Sequence, residues 1–504
     1  MTHDRVPGRR SFLRAVGVGA AVVGFDAEAR AWATEGSVES SGAGAAAGSG
    51  AAADTLAEAL PPLDGKLLTD PAALAPYADD FGHLVTGRTP RAVLLPGSVA
   101  DIRALIRYCG PRRIEVAPRG QGHQCFGQAQ AAAGVVVDMG TLAAIRVDPA
   151  ARTVEVQAGA VWSAVLDACL VHGLTPPVFT DYIELSVGGT LSAGGLGGAA
   201  QRYGAQVDTA VELDVVTGTG ELVTCSPTRH PELFDMARSG LGQVGVITRA
   251  VLKLVPARSR VRKYTLTYSD VAALTAAQRR AVRDGRFDWL EGAAAALPTG
   301  GWQYQLEGAV YYDSTAPDDH ALIGDLGFQG TPEVAEFDYR GFVDDLAPAI
   351  AYLKSTGEWY DPHPWYDMLL PDSDTDAYVT ATMAGLGAAD IGASGVILLY
   401  PIPRARLRAP LLRAPEGELV FLFAILRTAA PDSGAESADA MQAANRALYV
   451  EAQAFGGTIY PVDSIPMTAG DWRVQYGDQW AAFRAAKRRF DPHGILTPGQ
   501  GIFR

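Results

Sequence analysis

Cysteine and basic side chains are both scarce in this protein. Only 4 of the 504 residues are cysteine, and 56 acidic residues outnumber 42 Lys and Arg, which gives a net charge of −14. No basic stripe is present to follow a phosphate backbone, so the composition argues against a nucleic-acid-binding protein. The Cys and His residues lack metal-ligand spacing. The cysteines do not resemble a disulfide framework, although the sequence leaves open whether any two of them pair: Cys109, Cys125, Cys169 and Cys225.

The apolar run near the start of the sequence, residues 15–25, is too short to cross a bilayer as a helix. It follows the twin-arginine pattern Arg9-Arg10-Ser-Phe-Leu-Arg14 and precedes a small-x-small site at residues 31–33. We therefore expect a twin-arginine signal peptide over residues 1–33 and no stable membrane anchor. Residues 34–55 are mostly Gly, Ala and Ser, which predicts a disordered linker. The mature protein is expected outside the cell or in the cell envelope.

The remaining sequence is long enough for two domains, and the 48% hydrophobic content is typical of a globular protein with a large core. Over residues 56–257, short strand-like runs alternate with amphipathic helical runs, which predicts an α+β domain with mixed sheets. Residues 187–198 contain too many glycines for us to expect a regular element there. Residues 258–467 have more aromatics and longer polar loops, and we interpret them as a second, substrate-facing domain. Residues 468–504 predict a helix followed by an ordered Pro/Gly-rich ending.

A loop after the strand-like residues 114–117 carries the sequence Arg119-Gly-Gln-Gly-His123. Its glycines let backbone amides approach an anion such as a pyrophosphate, and the histidine is a nucleophile that can bond to a cofactor ring. Alone, the motif is weak and also describes a tight turn with a surface histidine. It is not a dinucleotide fingerprint of the NAD type, because Cys125 stands where a third glycine is required and no crossover helix follows.

Six segments in order resemble the vanillyl-alcohol-oxidase type of FAD-linked oxidases, and among these most closely the cytokinin dehydrogenases. They cover nearly the whole mature protein: the His123 loop with Gly127-Gln-Ala129, Thr180-Asp-Tyr182 with Leu185-Ser-Val-Gly-Gly-Thr-Leu-Ser192, residues 240–248, Phe287-Asp-Trp-Leu-Glu-Gly292, Pro362-His-Pro-Trp365, and Phe490-Asp-Pro with Pro498-Gly-Gln500. The resemblance implies a two-domain α+β fold. An FAD-binding domain is built from residues 56–257 and the returning segment 468–504, and a substrate domain is inserted between them.

The resemblance also implies roles for individual residues. His123 bonds covalently to the flavin, Asp181 is the catalytic base, and Glu291 is a second catalytic carboxylate across the cleft. Two such carboxylates in one site are expected to raise at least one pKa. The substrate is an N6-substituted adenine, and the electron acceptor is a quinone or oxygen. Further cofactor contacts are expected at Pro118, Gly120, Gln121, Gly122, Gln124, Gln128, Ser186, Ser192, Leu196, Ile247, Thr497 and Gln500.

Each role has a plainer interpretation. Asp181 could instead be a polar loop residue that caps a turn. Glu291 could be an ordinary acidic surface residue. Cys125 is better explained as a packed thiol than as a second flavin attachment site. His363 and Trp365 are equally compatible with the domain core and with the mouth of the active site.

The sequence also departs from the family pattern at three places. Gln124 stands where Ser is common after the histidine, Pro403 where Asn follows Tyr-Pro, and Val462-Asp463 where His-Tyr is usual. These changes leave two alternatives to cytokinin oxidation open. One is an exported FAD-linked oxidase of alcohols or sugars, and the other is a non-catalytic flavin-binding protein.

Overall fold

A computed structural model describes residues 60–297, 299–431 and 433–504. The predicted signal peptide (1–33) and linker (34–55) lie outside these residues. No helix in the described ranges is long and apolar enough to cross a membrane.

Two sheets form the N-terminal half. The first has the order β1-β2-β4-β3, with β4 parallel to both β2 and β3, and its strands are β1 (Lys66–Leu68), β2 (Ala92–Leu95), β3 (Val116–Arg119) and β4 (Val135–Asp138). The second is antiparallel with the order β5-β6-β10-β8-β9, and its strands are β5 (Ile145–Asp148), β6 (Thr153–Gln157), β8 (Ala210–Thr217), β9 (Leu222–Cys225) and β10 (Gly245–Lys253). Two short strands, β7 (Leu174–Thr175) and β11 (Val255–Pro256), form a separate antiparallel pair. The three consecutive valines of β4 are fully buried, as expected for a strand covered on both faces.

Six helices pack around these sheets: α1 (Pro71–Leu74), α2 (Val99–Arg112), α3 (Trp162–Leu170), α4 (Val187–Ala193), α5 (Ala200–Tyr203) and α6 (Pro231–Ala237). Helix α2 begins after Ser98, because Ser98 and Asp101 form a capping box at its first turn. It buries Ile102, Leu105 and Ile106 against the core.

The glycine-rich stretch differs from the sequence prediction. Residues 187–193, which were expected to be irregular, form helix α4. The side chain of Ser186 accepts a hydrogen bond from the Gly189 N–H at its start, and the helix ends at Gly194, whose φ is +145°. Gly188 is required there by packing, because a Cβ atom would lie 2.7 Å from that of Ala158. Tertiary contact thus offsets the low helix propensity of glycine.

The second half is built on one antiparallel sheet of eight strands with the order β15-β12-β14-β13-β17-β18-β16-β19. These strands are β12 (Arg260–Tyr268), β13 (Trp289–Ala296), β14 (Trp302–Tyr312), β15 (Gln329–Asp338), β16 (Tyr366–Pro371), β17 (Val396–Pro403), β18 (Leu419–Leu426) and β19 (Thr458–Ile459). Its helices are α7 (Val271–Arg283), α8 (Asp319–Ile323), α9 (Tyr339–Val343), α10 (Ala347–Thr356), α11 (Asp372–Gly385), α12 (Ala388–Ile391) and α13 (Ala438–Ala454).

The C-terminal segment contains α14 (Ala469–Tyr476) and α15 (Trp480–Phe490), and the residues after them lie against the first sheet. Val116 donates its N–H to the Ile495 carbonyl at 2.9 Å and accepts from the Thr497 N–H at 2.9 Å. The Pro/Gly-rich ending is therefore ordered by strand-like pairing with β3.

All four cysteines are buried and unpaired. Burial raises the pKa of the Cys109, Cys169 and Cys225 thiols to about 12. The pKa of Cys125 is raised by burial and by the proximity of the Asp80, Asp367 and Asp463 carboxyls, so its thiol stays protonated and unreactive. This agrees with a packed thiol and not with a flavin attachment site.

Candidate cofactor cavity and active site

A cavity lies between the two sheets of the N-terminal half and reaches the C-terminal segment, and its empty space, open solvent included, is about 1030 Å³. Its walls are the loop after β3, the first turns of α4, the start of β10 and the C-terminal ending. Every cofactor contact expected from the sequence lines it except Leu196: Pro118, Gly120, Gln121, Gly122, His123, Gln124, Gln128, Ser186, Ser192, Ile247, Thr497 and Gln500. Leu196 is buried outside the cavity wall, and its N–H donates to the hydroxyl of Tyr460, which does line the cavity.

Glycines allow separate segments to approach closely around this cavity. A Cβ atom on Gly120 would lie 1.9 Å from Ser186 Oγ, and Gly242 has a φ of +70° with Thr497 Oγ1 2.6 Å from its ideal Cβ position. The glycines therefore bring the His123 loop, α4 and the C-terminal ending together around the cavity.

One polar atom on the wall has no partner. The Oε1 atom of Gln124 is buried and accepts no hydrogen bond within the described residues. A buried unsatisfied acceptor is costly unless a ligand donates to it. The isoalloxazine and adenine rings of FAD both carry N–H donors, so the polar groups of this wall fit FAD in hydrogen-bonding capacity.

The His123 loop is held from behind by Asp80 and Arg119. The Asp80 carboxylate accepts hydrogen bonds from the N–H groups of Gly127 at 2.7 Å and Gly82 at 3.2 Å. Arg119 donates to the Asp79 carbonyl at 2.6 Å. Burial raises the pKa of Asp80 to about 6 despite these bonds. The loop is therefore a fixed support and not a flexible turn.

His123 itself is enclosed by aromatic rings. Its ring centroid lies 3.9 Å from that of Phe81 and 5.0 Å from that of Tyr182. Burial, together with the proximity of the His363 ring and the Lys354 ammonium, lowers the pKa of His123 to about 3. The imidazole is therefore neutral at physiological pH and retains a nucleophilic lone pair.

Asp181 borders a second, smaller space of about 450 Å³. This aromatic chamber is lined by Pro177, Phe179, Thr180, Asp181, Ala199, Trp289, Tyr311, Tyr339, Phe342, Val343 and Asp345. Thr180 lines both the cofactor cavity and the chamber. Asp181 lines only the chamber and is the next residue along the sequence from this shared wall residue.

Glu291 lines neither space, although it is 1% exposed and lies on β13, two residues from Trp289 of the chamber. The charges of Glu291 and Asp181 both help to raise the pKa of the buried Tyr400, after burial itself. Both carboxylates therefore lie near one tyrosine. The expected rise in the pKa of one of them stays a prediction.

A buried carboxyl pair next to the cavity was not expected from the sequence. Asp367 and Asp463 are 4% and 5% exposed, and each has an Oδ2 atom without a hydrogen-bond partner in the described structure. Burial raises the pKa of both, that of Asp463 to about 8. Asp463 adjoins the cavity wall, because Val462 lines it and Gln128 donates to the Asp463 carbonyl at 2.9 Å. The only sequence feature that pointed to this carboxyl pair was the departure from the family pattern at Val462-Asp463.

The sequence left open whether His363 and Trp365 lie in the domain core or at the mouth of the active site. In the structure, neither residue lines the cofactor cavity or the aromatic chamber. His363 is buried and its ring stacks on Phe81 with centroids 4.1 Å apart. The Trp365 ring also contacts Phe81, with ring centroids 5.3 Å apart.

Comparisons with known proteins agree with this arrangement. A family model described as FAD binding domain matches residues 90–226, and one described as cytokinin dehydrogenase 1, FAD and cytokinin binding, matches residues 295–503. The fold is similar to that of 6-hydroxy-D-nicotine oxidase from Arthrobacter nicotinovorans, with a TM-score of 0.66 at 20% identity over 87% of this protein and 97% of that one. The protein is therefore an FAD-dependent oxidoreductase with the two-domain α+β fold of FAD-linked oxidases, as predicted.

Relatives identify the family within this class. Cytokinin dehydrogenase 10 of Oryza sativa subsp. japonica is 36% identical over 87% of this protein and 88% of its own length, and cytokinin dehydrogenase 2 of Arabidopsis thaliana is 33% identical over 87% and 93%. An uncharacterized oxidoreductase, ORF5 of the fasciation locus of Rhodococcoides fascians, is 40% identical over 86% and 97%. The protein belongs to the cytokinin dehydrogenase family, which confirms the resemblance inferred from its motifs.

Proposed function

We propose that this protein oxidises N6-substituted adenines at the C–N bond between the exocyclic nitrogen and its substituent, with Asp181 as the base. The observation that carries the proposal is that Asp181 lines the aromatic chamber directly beside Thr180, the residue that lines both the chamber and the cofactor cavity. A substrate whose apolar substituent enters the chamber would present its amine N–H to this carboxylate.

Bound FAD would supply a hydride acceptor, N5 of its ring, for the carbon next to the amine. On the protein side, Asp181 accepts the N–H proton as the hydride leaves, which produces an imine. Water then adds to the imine and releases adenine and an aldehyde. Glu291 adds a second negative charge near the site and favours a ring that carries N–H donors.

We also propose that His123 bonds covalently to the flavin and that a quinone or oxygen reoxidises it. Support comes from the neutral His123 imidazole at the cavity wall. Covalent attachment would prevent loss of the cofactor if the protein is exported by the twin-arginine route, as residues 1–33 suggest.

The test is anaerobic stopped-flow absorbance of the holoenzyme mixed with isopentenyladenine. We expect rapid bleaching of the flavin band, and we expect Asp181→Asn to slow it by about 10²- to 10⁴-fold, the usual contribution of a general base. Glu184→Gln is the matched control, because Glu184 is an exposed carboxylate in the same loop. Equal bleaching rates in wild type and Asp181→Asn would exclude Asp181 as the base.

Oxidation of an alcohol or sugar is the second candidate. It is favoured by Val462, which departs from the family pattern and lines the cavity itself. A holoenzyme that bleaches with alcohols or sugars but not with isopentenyladenine would establish it in place of amine oxidation.

A further inference from the structure

An aromatic cluster joins the two domains at the candidate attachment histidine. Phe81 contacts His123 of the cavity wall at 3.9 Å and stacks on His363 of the substrate domain at 4.1 Å, with 8° between the latter two ring planes. Trp359 and Trp365, also from the substrate domain, each lie 5.7 Å from the His123 ring. One ring of the FAD domain is therefore in contact with a histidine on each side of the domain boundary.

Backbone hydrogen bonds connect the same three segments. Phe81 donates its N–H to the Gly122 carbonyl, and Gly82 donates to the Gln124 carbonyl, both at 2.9 Å. His363 in turn donates its N–H to the Gly82 carbonyl at 2.9 Å. Residues 81–82 thus connect the His363 backbone by hydrogen bonds to Gly122 and Gln124, the two residues that flank His123.

The ring of His363 is fixed by its own partners. Its Nε2 donates to the Trp359 carbonyl at 3.2 Å, because a carbonyl can only accept. Its Nδ1 lies 3.4 Å from the Thr428 hydroxyl, and the ring also hydrogen-bonds to the Arg427 backbone. The imidazole is thus held in one orientation, 5% exposed and away from the cavity wall. His363 does not line the cofactor cavity, so an effect on the flavin would act through its neighbours: the Phe81 ring and the backbone of Gly82.

We propose that His363 is a positioning residue for covalent flavin attachment: through Phe81 it orients the His123 imidazole, so that the flavin bond forms only when the substrate domain is docked. This inference rests on the covalent attachment proposed above. Burial lowers the pKa of His363 to about 4, so both histidines are neutral and do not repel each other.

Attachment conserves atoms and electrons. The flavin ring methyl loses one C–H bond, the His123 imidazole loses its N–H proton, and a C–N bond forms between them. The two electrons released reduce the flavin, and oxygen reoxidises it. The step needs the imidazole lone pair aimed at one carbon, and a misplacement of about 1 Å in such a geometry can cost about 10²-fold in rate.

The experiment measures the covalent share of the flavin in the purified full-length protein. Each preparation is unfolded in acid, and flavin retained by the precipitated protein is compared with flavin released into solution. Total flavin before unfolding and the thermal midpoint are recorded for every variant. The variants are Phe81→Leu, which removes the bridging ring, His363→Asn, which removes the stacked ring, and His363→Phe, which restores it. His172→Asn is the control, because His172 is exposed.

We expect nearly all flavin to be covalent in wild type and His172→Asn. In Phe81→Leu and His363→Asn we expect flavin to bind but its covalent share to fall several-fold, with substantial recovery in His363→Phe. A wild type that releases all its flavin would overturn both covalent attachment and this inference. An unchanged covalent share in Phe81→Leu and His363→Asn, with wild type fully attached, would overturn the inference alone. If His363→Asn does not fold, Phe81→Leu decides by the same criterion.

Discussion

At the scale of single residues, the candidate site combines groups whose protonation is set by burial. His123 is kept neutral by burial among aromatic rings. Burial raises the pKa of both Asp463 and Asp367, and the proximity of the Asp463 carboxyl raises that of Asp367 further, because two neighbouring carboxyls do not readily ionise together. A carboxyl group protonated near neutral pH can donate a hydrogen bond where an ionised one can only accept. The wall of the cofactor cavity is thus less negative than its residue types suggest.

The raised pKa of Asp463, about 8 against 3.8 for an ordinary aspartate, has a consequence for stability. Between these values the folded protein holds a proton that the unfolded protein has lost, so the free energy of unfolding falls as pH rises. Because asparagine does not ionise, we expect Asp463→Asn to remove this fall in the free energy of unfolding. Its stability relative to wild type should improve from about pH 5 to about pH 8, by at most about 1.4 kcal/mol per pH unit.

Chemical denaturation at several pH values measures this difference. Asp439→Asn is the control, because Asp439 is an exposed carboxylate at the start of α13. A stability difference between Asp463→Asn and wild type that stays constant over this range would show that Asp463 is ionised in the folded protein.

At the scale of elements, helix α4 depends on its cap and on its neighbours. Its seven residues include two glycines, so its own propensity is low. Ser186 caps it, lines the cofactor cavity and lies against Gly120 of the His123 loop. A change at this cap should therefore affect both folding and cofactor binding.

We expect Ser186→Ala to lower the free energy of unfolding by about 1 kcal/mol, the usual effect of losing a serine N-cap. It should also lower the flavin content of the purified protein. Ser437→Ala is the matched control, since Ser437 caps α13 in an exposed position. Chemical denaturation and flavin absorbance would distinguish the two variants. We expect both to lose the same amount of stability, and only Ser186→Ala to lose flavin. Normal flavin content in Ser186→Ala would show that the cavity wall does not depend on this cap.

At the scale of the whole molecule, the C-terminal segment closes the cofactor cavity. Thr497 and Gln500 line it, and the segment is held by a buried lysine. Lys487 forms an ion pair with Asp491 at 2.8 Å and donates to the carbonyls of Gln243 at 3.0 Å and Leu496 at 3.2 Å. This lysine thus connects α15, the segment before β10 and the C-terminal ending.

Lys487→Met should therefore destabilise the protein by about 3 kcal/mol or more, because it leaves a buried carboxylate and two carbonyls without their partner. Arg489→Met on the same helix is the control, since Arg489 is exposed and its ion pair with Glu232 lies at the surface. Thermal or chemical unfolding of both variants provides the measurement. A loss in Lys487→Met no larger than in Arg489→Met would show that the segment does not rely on this lysine.

Much of this architecture follows from local sequence. The alternation of short strands and amphipathic helices in the N-terminal half was expected, because hydrophobic period acts over a few residues. The residues of the His123 loop and of the C-terminal ending were also identified as candidates, since their motifs are contiguous. By contrast, α4 was not expected, because its stability comes from Ala158 and the Ser186 cap and not from its own glycines.

The sequence by itself determined the family, the α+β class and twelve of the residues that line the cofactor cavity. The tertiary structure decided what no local pattern contains. It placed Leu196 outside the cavity wall and Tyr460 on it, brought His363 into contact with Phe81, and buried Asp367 near Asp463, although about 100 residues separate the last two. Protonation and ring contacts depend on burial and distance in three dimensions, and these quantities exist only once distant segments have packed together.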